Sequence, residues 1–326
     1  MLKTDFTFIV FTYNHEKYIS EYLESVKFQV EAYGHDYEIK LVIADDASSD
    51  NTIAIIEKWC AVNSVIFSDV VFIFNKTNIG TCDNYINTWK EIDSDLFHFL
   101  AGDDLYSFEN VFELSKLKKS YDIVSYMPLY LTDGNIFNNK KSIFGIISSN
   151  NIYKSFKRRI RAVNFIYAPC LFYTDKILSN LKIKNFVKSF NVIEDLPLQV
   201  KISEEFTPTK FVQLDNILVY YRRTNNSAYI IKNEVYFEDK TKIFKYLIET
   251  EDGIFRKLLI KNRLFCYKLE SGFFKIILNL NYYLYGLMCL INFLKIYQAA
   301  KKFNPDVKRH QEHYVKIQNQ AKKYTS

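Results

Sequence analysis

The stretch AGDDLY sets two adjacent carboxylates, Asp103 and Asp104, behind a glycine and directly after the apolar run DLFHFL. Like charges side by side repel and are costly to desolvate, so packing alone gives a buried strand little reason to end on them. A cation, or a set of hydrogen-bond donors, is what such a pair would hold. A second acidic pair, Glu194–Asp195, lies in NVIEDLPLQVKI, and a third, Asp45–Asp46, opens DDASSDNT. Two arginines, Arg222 and Arg223, stand together in DNILVYYRRTNNSAY. Guanidinium geometry suits phosphate or carboxylate partners. Each group also has an ordinary structural use. Asp45, Asp46, Ser48 and Ser49 suit helix caps, Glu194–Asp195 suits a helix N-terminus, and the arginines suit an exposed surface.

What would bring these groups together is a regular alternation of elements. FTFIVFTY (6–13), YEIKLVIADD (37–46), DVVFIFN (69–75) and DLFHFLAGDD (95–104) have the pattern of strands. Between them, EKYISEYLESVKFQ (16–29) carries Tyr18, Ile19, Tyr22, Leu23 and Val26 at helical spacing. SSDNTIAIIEKWCAV (48–62) supplies cap residues and then a helix, and GTCDNYINTWKEI (80–92) is a further helix. Such alternation predicts right-handed crossovers and a mostly parallel sheet of the α/β class. Ligands of open sheets sit beyond the carboxyl ends of the strands. The polar clusters TYN, DDASSD, NKTN and GDD fall there, one after each strand. Capping explains one such cluster easily and four poorly.

The 326 residues suffice for one large domain with an appendage, or for two domains. At 48% hydrophobic and 25% charged residues the chain is globular in character, not disordered. Five scattered cysteines without a C-x-x-C pair suggest neither a zinc knuckle nor a disulfide framework, and reduced thiols in a cytosolic setting are expected. The start, MLKTDFTFIVFTYN, has the character of a first strand and not of a signal peptide. Charge divides the chain unevenly. Residues 1–230 hold 25 basic and 28 acidic residues, and from Ile231 onward 18 basic residues face 9 acidic ones. A basic, aromatic-rich tail points to an anionic surface, either lipid headgroups or nucleic acid.

In this order and spacing, FTYNHEKYISEYLESV, LVIADDASSDNT, NIGTCDN and FLAGDD resemble the family-2 glycosyltransferases of the GT-A fold, over roughly residues 5–225. The resemblance implies a Rossmann-like nucleotide-diphospho-sugar transferase domain over 1–230, with a helical extension over 231–326. It implies transfer of a sugar from a nucleotide donor, with inversion at the anomeric carbon. Phe11 and Thr12 would belong to the donor-binding first loop. Tyr13 would stack on the base, Asn14 and Glu16 would line the base and ribose pocket, and Asp46 would accept a base N–H with Asp45 in support. Asn78, Gly80 and Asn84 would close the floor. The family's metal motif is usually Asp-x-Asp and holds Mn2+ or Mg2+ across the donor phosphates. Here Ala101-Gly102-Asp103 occupies it, so the first carboxylate is missing. Asp103 is then the expected metal ligand, with Asp104 as a second ligand or a support, and Gly102 beside the donor. An acidic pair such as Glu194–Asp195 opens a helix in the family, and its Asp is the general base that deprotonates the acceptor hydroxyl. Asp195 is the expected base and Glu194 its neighbour. Arg222 and Arg223 would clamp the diphosphate, and Thr224 stands where the family often has His.

In KSFKRRIRAVNFIYAPCLFY (154–173), Lys157, Arg158, Arg159 and Arg161 would attract a phosphate-bearing acceptor such as a lipid diphosphate-linked sugar, or else face solvent. After Gly253 there are 14 basic and 3 acidic residues, and IILNLNYYLYGLMCLINFL (276–294) is uncharged. Its length approaches the roughly 20 residues of a membrane span. Its asparagines and tyrosines favour a helix lying in the interface instead, or helices packed on the catalytic domain. His310 and His313 in RHQEH have nothing nearby that resembles a metal site. The expected protein is thus an inverting, UDP-sugar-dependent glycosyltransferase of surface-polysaccharide synthesis, peripheral on the cytoplasmic face of an anionic membrane. Its acceptor would be a glycan or lipid-diphosphate-linked hydroxyl, and no nucleic acid is expected. A nucleotidyltransferase would carry a Gly-rich, basic loop after the first strand, which TYNHEKY is not. A non-catalytic protein binding nucleic acid through its tail would do so salt-sensitively.

Overall fold

The structure, a computed structural model, describes residues 4–223 and 234–325. Four parallel strands form the first sheet: β1 (Thr4–Thr12), β2 (Tyr37–Asp45), β3 (Asp69–Phe74) and β4 (Leu96–Ala101), in the order β3-β2-β1-β4. Thr12 pairs with Asp45, Phe11 with Ala101, and Asp45 with Phe74. The carboxyl ends therefore finish level, and all four following loops leave from one edge. Alternation along β1 sorts its side chains to two faces. Phe6, Phe8 and Val10 pack with Tyr22, Leu23 and Val26 of α1 (Ile19–Tyr33) and with Ile56 and Trp59 of α2 (Thr52–Asn63). Ile9 packs on the other face with Tyr85 and Ile86 of α3 (Thr81–Asn87). Helices on both faces bury β1, β2 and β4, which is why those strands are near-continuous apolar runs, while β3 at the edge stays partly exposed. The expected helix over 80–92 ends at Asn87 and continues as a 3-10 turn from Thr88 to Glu91.

A second sheet grows from the acidic edge. It contains β5 (Leu105–Tyr106), β6 (Ile123–Thr132), β7 (Asn135–Phe137), β8 (Leu171–Tyr173) and β9 (Phe211–Arg222). Its order is β5-β9-β6-β7, with β8 also on β6; β6 and β9 run parallel and the other pairs antiparallel. Around it lie α4 (Val111–Ser115), α5 (Lys140–Ile152), α6 (Phe156–Ala162), α7 (Leu181–Lys188) and α8 (Asp195–Glu205).

The boundary expected at residue 230 lies outside the described residues. The C-terminal stretch beyond it divides into parts with different surroundings. Ile243, Phe244 and Leu247 of α9 (Glu234–Glu249) join the core that holds α8. Next come α10 (Ile254–Lys268), α11 (Gly272–Ile277), α12 (Leu280–Ile291) and α13 (Phe293–Lys302). The uncharged run 276–294, expected as a helix in the interface or as helices packed on the catalytic domain, is shared among the last three. Asn279 caps α12 by accepting from the Asn281 N–H, and Asn292 separates α12 from α13. Among the described residues no helix is long and apolar enough to cross a membrane. Finally α14 (Val307–Thr325) returns to α1 and buries His310, His313, Tyr314, Ile317 and Ala321 along one stripe. The two histidines meet the Tyr220 hydroxyl at 2.9 and 3.1 Å, and burial pushes both imidazoles down to about 4.

Candidate active site

The first two loops are bound to each other before any ligand is considered. Asn14 has φ 54°, a left-handed conformation that its side chain tolerates better than most. Its N–H donates to Ser48 Oγ (2.8 Å), and its Oδ1 accepts from the Ser49 N–H (2.8 Å). Asp45 is fully buried and accepts from the Ser48 N–H (2.8 Å) and Oγ (2.5 Å). Ala47 between them has φ 63°, the sort of backbone strain that clusters at ligand sites. Ser48 and Ser49 therefore do not cap a helix: α2 starts at Thr52, and Asp50 accepts from the Thr52 N–H instead. Glu16, expected in the base and ribose pocket, lies outside the cleft lining. Its carboxylate accepts from the Asn51 N–H and Nδ2, both at 3.1 Å, and ties the first loop to the second.

Asp46 holds the third loop. It accepts from the Ile79 N–H (2.8 Å), the Gly80 N–H (2.9 Å) and Asn75 Nδ2 (3.1 Å). Gly80 has φ 88°, and a Cβ there would come 3.0 Å from the Asn191 carbonyl, so both conformation and space require glycine. Asn84 ties α3 to this corner by accepting from Asn75 Nδ2 and donating to the Ala44 carbonyl. Asn191 begins the approach to the second acidic pair. The N–H groups of Asn191, Val192 and Ile193 all donate to Asp239 Oδ2, at 2.8, 2.8 and 3.2 Å. Asp239 belongs to α9, and no sequence pattern marked it.

At the acidic edge, Gly102 lets the fourth loop lie against the first. A Cβ there would meet His15 Nδ1 and Ile19 Cδ1 at 3.0 Å. Asp103 is half-buried and lines the cleft. Asp104 is buried at the cleft floor, where Oδ1 accepts from the Arg222 N–H (2.7 Å). Burial, reinforced by the Asp103 charge, pushes its carboxyl well above the usual range. Through the Arg222 N–H, Asp104 braces the end of β9 against the fourth loop, and it lines the same cleft as Asp103. Arg222 is not a free clamp. It is 8% exposed; Nε donates to the Asp103 carbonyl (2.6 Å), and Nη2 pairs with the Glu21 carboxylate. Its guanidinium lies 4.7 Å from the Tyr18 ring centre, and Tyr314 of α14 reaches the same Glu21 at 3.4 Å. Arg223 is exposed, lines the cleft and lies 4.6 Å from the Tyr130 ring. Thr224 lies outside the described residues.

Glu194 and Asp195 stand at the N-terminus of α8, where Asp195 Oδ1 accepts from the Leu196 N–H (2.6 Å). Both line the same cleft as Asp103, a space of about 980 Å3 also bordered by Phe11, Thr12, Tyr13, Asn14, Asp46, Asn78, Gly80 and Asn84. Burial, then the Asp195 charge, raises the Glu194 carboxyl to about 8. Tyr167, Tyr173 and Tyr221 give the cleft an aromatic wall, and Asn164 to Pro169 form one side. Nothing in their spacing had singled them out. The basic segment beside that wall is largely internal. Arg159, 1% exposed, donates to Ser149 Oγ and to the Ile146 and Phe165 carbonyls. Arg161 is paired with Glu204 (2.8 Å) and Glu251 (3.5 Å). These two cannot meet an acceptor; of the four only Lys157, half-buried, and Arg158, exposed, reach the surface.

Among the described residues no three His, Cys, Asp or Glu side chains gather into a metal cage. Asp103 offers a hard oxygen at the cleft. Magnesium commonly takes one or two carboxylates and fills its remaining positions with water and substrate phosphates. The residues therefore fit an ion that arrives with a diphosphate.

Residues 7–181 match the family described as Glycosyl transferase family 2. Among solved structures, S. aureus TarS 1-349 in complex with UDP-GlcNAc superposes with a TM-score of 0.56 at 15% identity, covering 97% of this chain and 92% of that one. The same S. aureus segment in complex with UDP gives 0.55 at 18% identity, with 98% and 92% covered. The mannosyltransferase PcManGT from Pyrobaculum calidifontis, in complex with GDP-Man and Mn2+, gives 0.54 at 11% identity, with 99% and 87% covered. At such identities the likeness is one of fold. No curated protein matches the sequence.

Proposed function

Because the chain belongs to glycosyl transferase family 2 and has the GT-A fold, we propose that its cleft moves a sugar from a nucleoside-diphosphate donor to an acceptor hydroxyl with inversion. One observation carries the reading: Asp103 and Asp195, from separate parts of the chain, share a single cleft with the loops expected to hold a nucleotide. The donor is UDP-linked, in keeping with the UDP complexes of TarS. Tyr13, exposed at the cleft mouth, stacks on the base, and Asn14 and Asn78 border the ribose. The diphosphate lies between Asp103 and Arg223. A Mn2+ or Mg2+ ion held by Asp103 would neutralise charge on the departing diphosphate.

Asp195 accepts the proton of the acceptor hydroxyl. That oxygen bonds to the anomeric carbon while the bond from carbon to phosphate oxygen breaks, and the nucleoside diphosphate leaves with the electron pair. One displacement without an enzymic nucleophile inverts the centre. Glu194, neutral below about pH 8, adds no second charge beside the base. The acceptor, a glycan or lipid-diphosphate-linked hydroxyl of surface-polysaccharide synthesis, enters along the wall from Asn164 to Pro169. Residues 1–230 form the catalytic unit, with α9 and α14 completing it, and the rest of 231–326 meets an anionic membrane surface.

Turnover of a panel of nucleotide sugars, with and without Mn2+, tests the reading. A UDP-sugar should be hydrolysed or transferred. Asp195→Asn should lower kcat by about 10²–10⁴-fold while donor Kd changes little. If no nucleotide sugar binds or turns over, the reading fails.

A further inference from the structure

Helices α11 and α12 bury none of their residues, and α12 carries no charge. On α12, Tyr283, Leu287, Leu290 and Ile291 recur three and four positions apart, the spacing of one helical face, and Leu294 follows at the start of α13. Leu290, Ile291 and Leu294 are 72%, 73% and 71% exposed. Phe273 and Phe274 of α11, and Phe255 and Leu258 of α10, are exposed too. These helices touch in series, α10 with α11 and α12, and α12 with α13. A soluble surface rarely leaves so much apolar area together without a use.

The face is held open by specific contacts behind it. Asn281 Nδ2 donates to the Leu259 carbonyl (2.9 Å), and the Leu280 N–H donates to Asn262 Oδ1 (2.9 Å). The Tyr285 hydroxyl lies 2.6 Å from Ser148 Oγ on α5. Charge then decides what covers it. Residues 254–305 contain nine Lys or Arg and one acid, and Lys261, Lys268, Lys295, Lys301 and Lys302 are exposed. A second copy placed face to face would set these cations against their own kind. A bilayer with anionic headgroups takes both the apolar side chains and the charge.

We propose that α10–α13 form a face that lies in the headgroup layer of an anionic bilayer, with Leu290, Ile291 and Leu294 sunk to the acyl boundary. The docking follows from this surface alone. Its link to the acceptor rests on the transfer reading above. Tyr285, on the inner side of α12, packs against Phe165 with ring centres 5.8 Å apart. Asn164 and Ile166 on either side of Phe165 line the cleft. Docking would therefore turn the acceptor wall towards the lipid, where a membrane-borne acceptor presents its hydroxyl.

Flotation of the full chain with phosphatidylcholine vesicles, with and without about 30% phosphatidylglycerol, tests the docking. The protein should float with the anionic vesicles and remain largely unbound with the neutral ones. The variant L290E/I291E/L294E should lower the bound fraction about tenfold, and K295E/K301E/K302E should do likewise. Both should keep the wild-type melting temperature and donor hydrolysis without vesicles. A chain that stays at the bottom of the anionic gradient overturns the proposal. So does binding that ignores both variants, or a dimer that L290E/I291E/L294E converts to monomer. Failure of the transfer reading would appear separately, as absent donor hydrolysis without vesicles.

Discussion

Glu194 and Asp195 are chemically near-equivalent neighbours at one helix N-terminus, and the proposed mechanism gives them different uses. With its carboxyl raised to about 8, Glu194 is neutral at pH 7 and loses its proton near the upper end of the working range. A second anion beside the proposed base would then hinder approach of a donor diphosphate, so kcat should fall as pH rises through about 8. Stability moves the same way. A folded-state value above the unfolded one gives a contribution that is complete below the ordinary carboxylate range and is lost as pH rises through about 8. Glu194→Gln, which mimics the neutral acid, should keep kcat within about threefold at pH 7 and remove the inflexion near 8. A Gln variant as inactive as Asp195→Asn would exchange the two roles. The carboxylates themselves were legible in the sequence because adjacent acids after an apolar run have few packing explanations. The arginines were less so. Arg222 and Arg223 are alike in type and adjacent, yet consecutive strand residues face opposite ways. Only Glu21, 201 positions away, shows which one is internal.

At the scale of elements, the parallel strands were readable because burial on both faces leaves little polar alternation. The loops between them were harder. A run of Ser and Asp before a helix looks the same whether it caps the helix or braces a neighbouring loop. The left-handed backbone at Asn14 and Ala47, which makes it a brace, has no signature in residue type at Ala47. The pairing of β6 with β9, distant in sequence, was likewise invisible to local pattern. The same holds for α9. Asp239 takes three consecutive N–H groups on the approach to Glu194, and a lost buried hydrogen bond leaves a penalty of about 1–3 kcal/mol. Asp239→Ala should therefore loosen residues 191–193, seen as faster amide exchange there, and lower kcat about tenfold or more with donor Kd nearly kept. Unchanged exchange with unchanged kcat would make α9 a bystander.

For the whole molecule, charge asymmetry marks the part of the chain that also carries the exposed apolar helices, whereas hydropathy overstated its regularity. The uncharged run 276–294 is divided at Asn279 and Asn292, two residues whose polar side chains weakened it as a span from the start. Nor does the basic tail act as one appendage, since α14 belongs with α1 and shares Glu21 with Arg222. Truncation after residue 305 should lower the melting temperature and donor turnover together, where loss of a mere surface anchor would leave both intact. Circular dichroism and the vesicle-free donor assay read the two effects. The bond between Tyr314 and Glu21 spans 293 positions. During synthesis, then, the loops proposed to hold the base and ribose leave the ribosome long before the hydroxyl that steadies the acidic edge. A nascent chain halted short of it would have the proposed nucleotide loops in place while the acidic edge is still loose. Emergence of α14 would be the event that arms the proposed site.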